Sequence, residues 1–117
     1  MTAEEMNIAL YRKMQTEQQR FTEWLLTLNP EQILEHCYEF AVRENILIAM
    51  ENNDLPMKSA AALLESKDVV SEVYEVYQKR TVGEITIAWE CIEMCANKRL
   101  REAFIASRRK KNTMEKS

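Results

Sequence analysis

The chain has 117 residues, 46% of them hydrophobic and 30% charged, with a net charge of −3. That balance fits one globular domain with a core of its own and excludes a disordered chain. One glycine (Gly83) and two prolines (Pro30, Pro56) exclude a turn-rich sheet protein, a glycine-rich phosphate loop and a dinucleotide fingerprint.

Thr2 and Glu5 have capping-box spacing and open the first helix. Leu10, Met14, Phe21, Trp24, Leu25 and Leu28 follow in steps of three and four, interrupted by a polar gap at Glu17-Gln18. The pattern predicts one amphipathic helix of about 25 residues, roughly 40 Å long. Asn29-Pro30-Glu31-Gln32 is the clearest punctuation in the chain: Asn29 caps, Pro30 suits a first turn, and Gln32 closes a second capping box. A second long helix is expected from there to Asn52-Asn53-Asp54. Ile33, Leu34, Cys37, Tyr38 and Ala41 form its apolar stripe, and Ile46–Met50 lies mid-core. The short connection predicts that these two helices pack as an antiparallel hairpin.

Pro56 starts a short third helix with Ala60, Ala61 and Leu64 inward, and Ser66-Lys67-Asp68 ends it. Asp68 is placed to cap the next element. Its valines and tyrosines favour a strand by propensity. Period-two alternation fails at Glu72 and Glu75, whereas Val70, Val73, Tyr74 and Tyr77 fit one helix face. Thr81-Val82-Gly83-Glu84 reads as a further capping box, opening a long last helix. Ile85, Ala88, Trp89, Ile92, Cys95, Ala96, Leu100 and Ala103 or Phe104 lie along one side of it. Beyond Ser107 the chain is polar and expected to fray.

These elements give an all-α bundle of four to five helices: a long helix hairpin, a short helical corner and a long C-terminal helix. The expected organisation is one helical domain over residues 1–107 and a basic, flexible tail over 108–117. The longest apolar run, Ile46–Met50, falls far short of the roughly 18 residues of a membrane span. The acidic, polar start is no secretory signal. The odd count of cysteines (Cys37, Cys91, Cys95) argues for reduced thiols in a cytoplasm rather than a disulfide framework.

No catalytic, metal or cofactor site emerges. Cys91 and Cys95 lie one turn apart, but their spacing is not that of a structural zinc site, and His36 and Cys37 diverge by about 100° on a helix. Glu90-x-x-Glu93 and Glu35-His36-x-x-Glu39 lack the Glu-x-x-His pairs of carboxylate-bridged metal bundles. A single histidine leaves little from which to build an activated nucleophile. Ala60–Leu64 followed by Val69-Val70-Ser71 resembles a helix-turn-helix, but Glu72 and Glu75 sit where a groove-reading helix needs cations.

Charge is unevenly placed. Residues 107–117 hold five basic groups against Glu115, a surplus of +4, so the rest of the chain carries −7. An acidic body is repelled by polyanions. The run Arg108, Arg109, Lys110 and Lys111 is the one segment suited to phosphate contact. Tyr11, Tyr38, Tyr74, Tyr77, Trp24 and Trp89 fall mostly on inward faces, and any aromatic left exposed is the best anchor for a partner protein.

Leu10-Tyr11-x-Lys13-Met14, Pro30-Glu31-x-Ile33-Leu34, Tyr38-Glu39-Phe40, Arg43-Glu44-x-Ile46-Leu47, Asn53-Asp54-Leu55 and Ala62-Leu63-Leu64 together resemble the domain of unknown function 3848 family over roughly residues 8 to 80. Asn45, where an acid is expected, and Pro56 depart from its pattern. The resemblance lends no catalytic residue. It implies a setting among mobile elements of gut Firmicutes, near conjugation and antirestriction genes.

The expected function is therefore non-catalytic protein binding. Its sharper form is a mobile-element accessory protein that blocks a host defence nuclease, as anti-CRISPR proteins do, with Glu35, Glu39, Glu72 and Glu75 set against a cationic channel. The alternatives are a nucleic-acid accessory or regulator acting through the basic tail, and a structural homo-oligomer such as a homodimer.

Overall fold

The computed structural model describes the backbone of residues 1–79 and 85–116 and the side chains of residues 1–79 and 88–109. Among the described residues six helices follow in order: α1 (Ala3–Leu25), α2 (Pro30–Glu35), α3 (Cys37–Glu51), α4 (Met57–Leu64), α5 (Val69–Gln78) and α6 (Ile85–Lys116). There is no strand among the described residues, so the all-α reading holds and the valine-rich segment is helical.

Local chemistry accounts for most boundaries. Thr2 Oγ1 accepts from the Glu5 N–H at 3.1 Å while the Glu5 carboxylate reaches back to the Thr2 N–H, so the first capping box is formed. Asn29 and Gln32 form the second, with the Gln32 N–H on Asn29 Oδ1 at 2.9 Å. Asp68 Oδ1 caps α5 by accepting from the Ser71 N–H at 2.9 Å. The capping box expected at residues 81–84 lies outside the described residues.

α1 and α3 run antiparallel, as the short connection predicted. Gln18 meets Arg43 and Glu44 in one direction, and Asn7 meets Leu55, just past the end of α3, in the other. The core gathers Leu10 and Met14 of α1, Ile46 and Ala49 of α3, Leu63 of α4, Val70 and Val73 of α5, and Ile92 of α6, all fully buried. Each large aliphatic side chain sealed in this way contributes roughly 1.5–3 kcal/mol. α6 closes the bundle against α3, α4 and α5.

Four expectations need correction. The second long helix is two: His36, at φ −100° and ψ 5°, interrupts it, and its N–H bonds Ile33 O three residues back. That tightened turn separates α2, whose main neighbour is α3, from α3, which enters the core. The stripe Ile33, Leu34, Cys37, Tyr38 and Ala41 is consequently not buried: Ile33 is half-covered and the other four are exposed. In α4 the sealed residues are Ala60 and Leu63, with Ala61 and Leu64 only half-buried. Finally, α6 does not fray at Ser107 but stays helical to Lys116, and both Ala103 and Phe104 are exposed on it. The bundle is 59 Å long against 29 and 27 Å across.

Candidate functional site

Two features stand out: a buried polar knot that ties α1, α3 and α5 together, and an exposed apolar corner beside it.

The knot explains the polar gap in the first helix. Glu17 and Gln18 are 4% and 5% exposed, yet both are polar. Burial without partners would be costly, so both are paired. Glu17 Oε1 accepts from the Val70 N–H at 3.0 Å, satisfying a donor in the first turn of α5, and Lys13 Nζ lies 3.1 Å from Glu17 Oε2. Arg43, 2% exposed, donates from Nε to Gln18 Oε1 at 2.8 Å and from Nη1 to Ser71 Oγ at 2.9 Å. Its guanidinium lies 4.2 Å from the centre of the Phe21 ring. Burial lowers the Arg43 pKa, and the nearby Asp68, Glu39 and Glu17 charges push it back up. α1, α3 and α5 are thus locked together just below the α1–α2 turn.

Above the knot, Leu25 and Leu26 of the α1 end, Ile33 and Leu34 of α2, and Cys37 and Phe40 of α3 line an open groove of about 240 Å³ whose walls are almost wholly apolar. Leu26 is 74% exposed, Leu34 73%, Tyr38 63% and Trp24 46%. Trp24 is held in place by Phe21, with ring centres 5.7 Å apart, and edge-on by His36 at 5.0 Å. His36 Nδ1 in turn lies 3.3 Å from Glu39 Oε1. Between Phe21 and Val42 the sequence carries four glutamates (Glu23, Glu31, Glu35, Glu39) and no lysine or arginine. The groove is therefore apolar, and the chain segment that builds it carries only negative formal charges.

The structure divides the four glutamates singled out from the sequence. Glu35 and Glu39 belong to this corner. Glu72 belongs to the α5–α6 seam, where both its carboxylate oxygens lie 3.2 Å from Arg99 Nε. Glu75 is exposed on α5, apart from that pair. Arg108 and Arg109 are exposed on α6, with Arg108 stacked 5.7 Å from the Phe104 ring; the side chains of Lys110 and Lys111 lie outside the described residues. Among the described residues no cluster of three or more His, Cys, Asp or Glu is placed to hold a metal. The three cysteines form no disulfide: Cys37 is exposed, and Cys91 and Cys95 are buried. Burial first, then Glu72, pushes the Cys95 thiol up to about 12. No described helix is long and apolar enough to cross a membrane.

The apolar corner was the feature least visible in the sequence, because a stripe of this spacing is core in most helices. The signal that marks it is the absence of any cation over residues 21–42, since core-facing helices usually alternate both signs on their solvent side.

A family model described as a protein of unknown function (DUF3848) matches residues 6–100. The chain belongs to this family. The match spans α1 to α5 and the part of α6 that packs on the body, so the knot and the corner lie within the family's domain and the distal part of α6 lies beyond it. No curated protein and no solved structure matches the chain.

Proposed function

We propose that this DUF3848 protein is a non-catalytic protein-binding module that takes a cationic, amphipathic helix of its partner into the groove between α1 and α2. The observation that supports this reading is the corner itself. Leu26 and Leu34 stand exposed on the groove walls, Trp24 and Tyr38 are exposed on α1 and α3 nearby in the chain, and every formal charge between Phe21 and Val42 is negative. Apolar knobs on a helix would fill the groove, and its flanking lysines or arginines would meet Glu23, Glu31 and Glu35. Proteins that handle nucleic acid carry such cationic helices. The sharpest form of the proposal therefore makes the partner a host defence nuclease, and the chain a cytoplasmic accessory protein of a mobile element that blocks it in the manner of an anti-CRISPR protein.

The test places a photo-crosslinker at Leu34 and reconstitutes the complex from host lysate after nuclease treatment. A stoichiometric partner that crosslinks through a basic helix, and that Leu34→Asp loses, supports the reading. A complex indifferent to Leu34→Asp overturns it. A catch that disappears both with nuclease treatment and on deletion of residues 108–117 moves the assignment to nucleic acid bound through the basic end of α6.

A further inference from the structure

α6 carries a second amphipathic surface that its own fold leaves uncovered. Every residue from Arg101 to Arg109 is exposed, including Phe104 at 61% and Ile105 at 49%. Leu100 and Phe104 fall one turn apart on the side that, nearer the start of the helix, faces the core. Residues 100–111 carry five cations against Glu102 alone. This is the chemistry the corner is suited to: an apolar stripe on a positively charged helix.

The chain cannot satisfy its own groove. α6 passes the corner end of α3 near Cys91, which with Tyr38 is among the groups around the buried Tyr77 hydroxyl. It then runs away from that end, past Glu72 at Arg99 and past Ala62 and Glu65 at Ala103. From Cys91 to Phe104 is about 20 Å of helix axis. The overhang therefore projects from the end of the bundle opposite the corner, and only a second molecule can bring the two together.

We infer that two copies of the chain pair antiparallel, each laying the exposed Arg101–Arg109 stretch of its α6 into the apolar groove of the other, whose segment carries only negative formal charges. The pairing rests on the groove reading proposed above and identifies an occupant for it. It is isologous, so both grooves and both overhangs are used and the assembly closes as a dimer rather than growing into a filament. A partner helix then competes with the overhang, and the groove is open to it only in the dissociated form.

Sedimentation equilibrium of the full chain tests this with a charge swap. The wild-type chain is expected to be dimeric at about 100 µM, more weakly so as salt rises. Glu31→Lys/Glu35→Lys and Arg101→Glu/Arg108→Glu are each expected to be monomeric, and an equimolar mixture of the two variants to regain a dimer. Both variants change exposed residues, and their helical circular dichroism reports whether each still folds. A monomeric wild-type chain overturns the pairing. So does a dimer that survives both reversals, or a mixture of folded variants that stays monomeric. A monomer whose Leu34 still crosslinks to an outside partner would remove the self-pairing and leave the groove reading intact.

Discussion

Arg43 Nε donates to Gln18 Oε1 at 2.8 Å inside the contact between α1 and α3, and neither side chain is more than 5% exposed. A buried cation held by a neutral amide depends on every bond it makes. Arg43→Ala leaves Gln18 Oε1 and Ser71 Oγ without their donor in a buried cavity and is expected to cost about 3–5 kcal/mol in urea unfolding. Gln18→Leu leaves the buried Arg43 Nε–H without an acceptor, while Nη1 keeps Ser71, and should cost less than Arg43→Ala does. The double variant Gln18→Leu/Arg43→Met removes donor and acceptor together and should be more stable than the sum of the two single losses implies. Strict additivity would show that the pair is not coupled.

Asn29 sets the start of α2 and thereby one wall of the groove. Its Oδ1 accepts from the Gln32 N–H, and its own N–H bonds Gln32 Oε1 at 3.2 Å. Asn29→Ala removes the side-chain cap and is expected to cost about 1 kcal/mol. α2 has few other contacts, so hydrogen exchange should rise in residues 30–35 well before it rises in α3. Uniform acceleration across α1 and α3 would contradict this.

The three thiols should differ sharply in reactivity. Cys37 is exposed at the groove, whereas Cys95 is buried with its pKa near 12 and Cys91 is fully covered. At pH 8 a thiol of that pKa is thiolate in only about one molecule in ten thousand. A thiol-disulfide reagent should therefore modify one cysteine per native chain quickly and all three only after denaturation. Cys37→Ser should abolish the fast phase. A second fast thiol would show that the α6 core is open.

Alkali should unfold the protein for a specific reason. Burial raises Cys95 from an ordinary 9.0 to about 12, and it raises Tyr77, Tyr74 and Tyr11 above 10.0. The native state thus holds these protons more tightly than the unfolded chain does. Their contribution is complete below pH 9 and is lost as pH climbs from there through the native values. Stability should be flat between pH 7 and 9 and then fall by up to about 1.4 kcal/mol per pH unit for each lagging group. Cys95→Ala should soften the first part of that fall, read by urea midpoints at fixed pH.

Much of the fold was legible because it rests on local rules. Thr2, Asn29 and Asp68 cap the helices their spacing announces, and the short turn after Leu28 dictates an antiparallel hairpin. What escaped the sequence depends on where neighbours stop. Leu34 and Phe104 have the spacing of core residues, yet both are exposed, covered by none of the described residues. His36 has no breaker chemistry of its own, so the division between α2 and α3 comes from tertiary packing rather than propensity. Gln18 offered a clue: it falls between Met14 and Leu25 at stripe spacing, and a polar residue there calls for a buried partner, which is Arg43.

Asn7 ties α1 to a distant stretch of backbone. Its amide donates to Leu55 O and accepts from Leu55 N–H, both at 2.9 Å, across 48 residues of chain. Together with the Glu17 bond to Val70, this gives the first helix polar debts that only later residues settle. A chain ending before α5 leaves Glu17 without the Val70 N–H, so the α1–α3 hairpin is expected not to fold on its own. Folding is then a late, single event with a high entropic threshold, set by closure of two long loops rather than by helix formation.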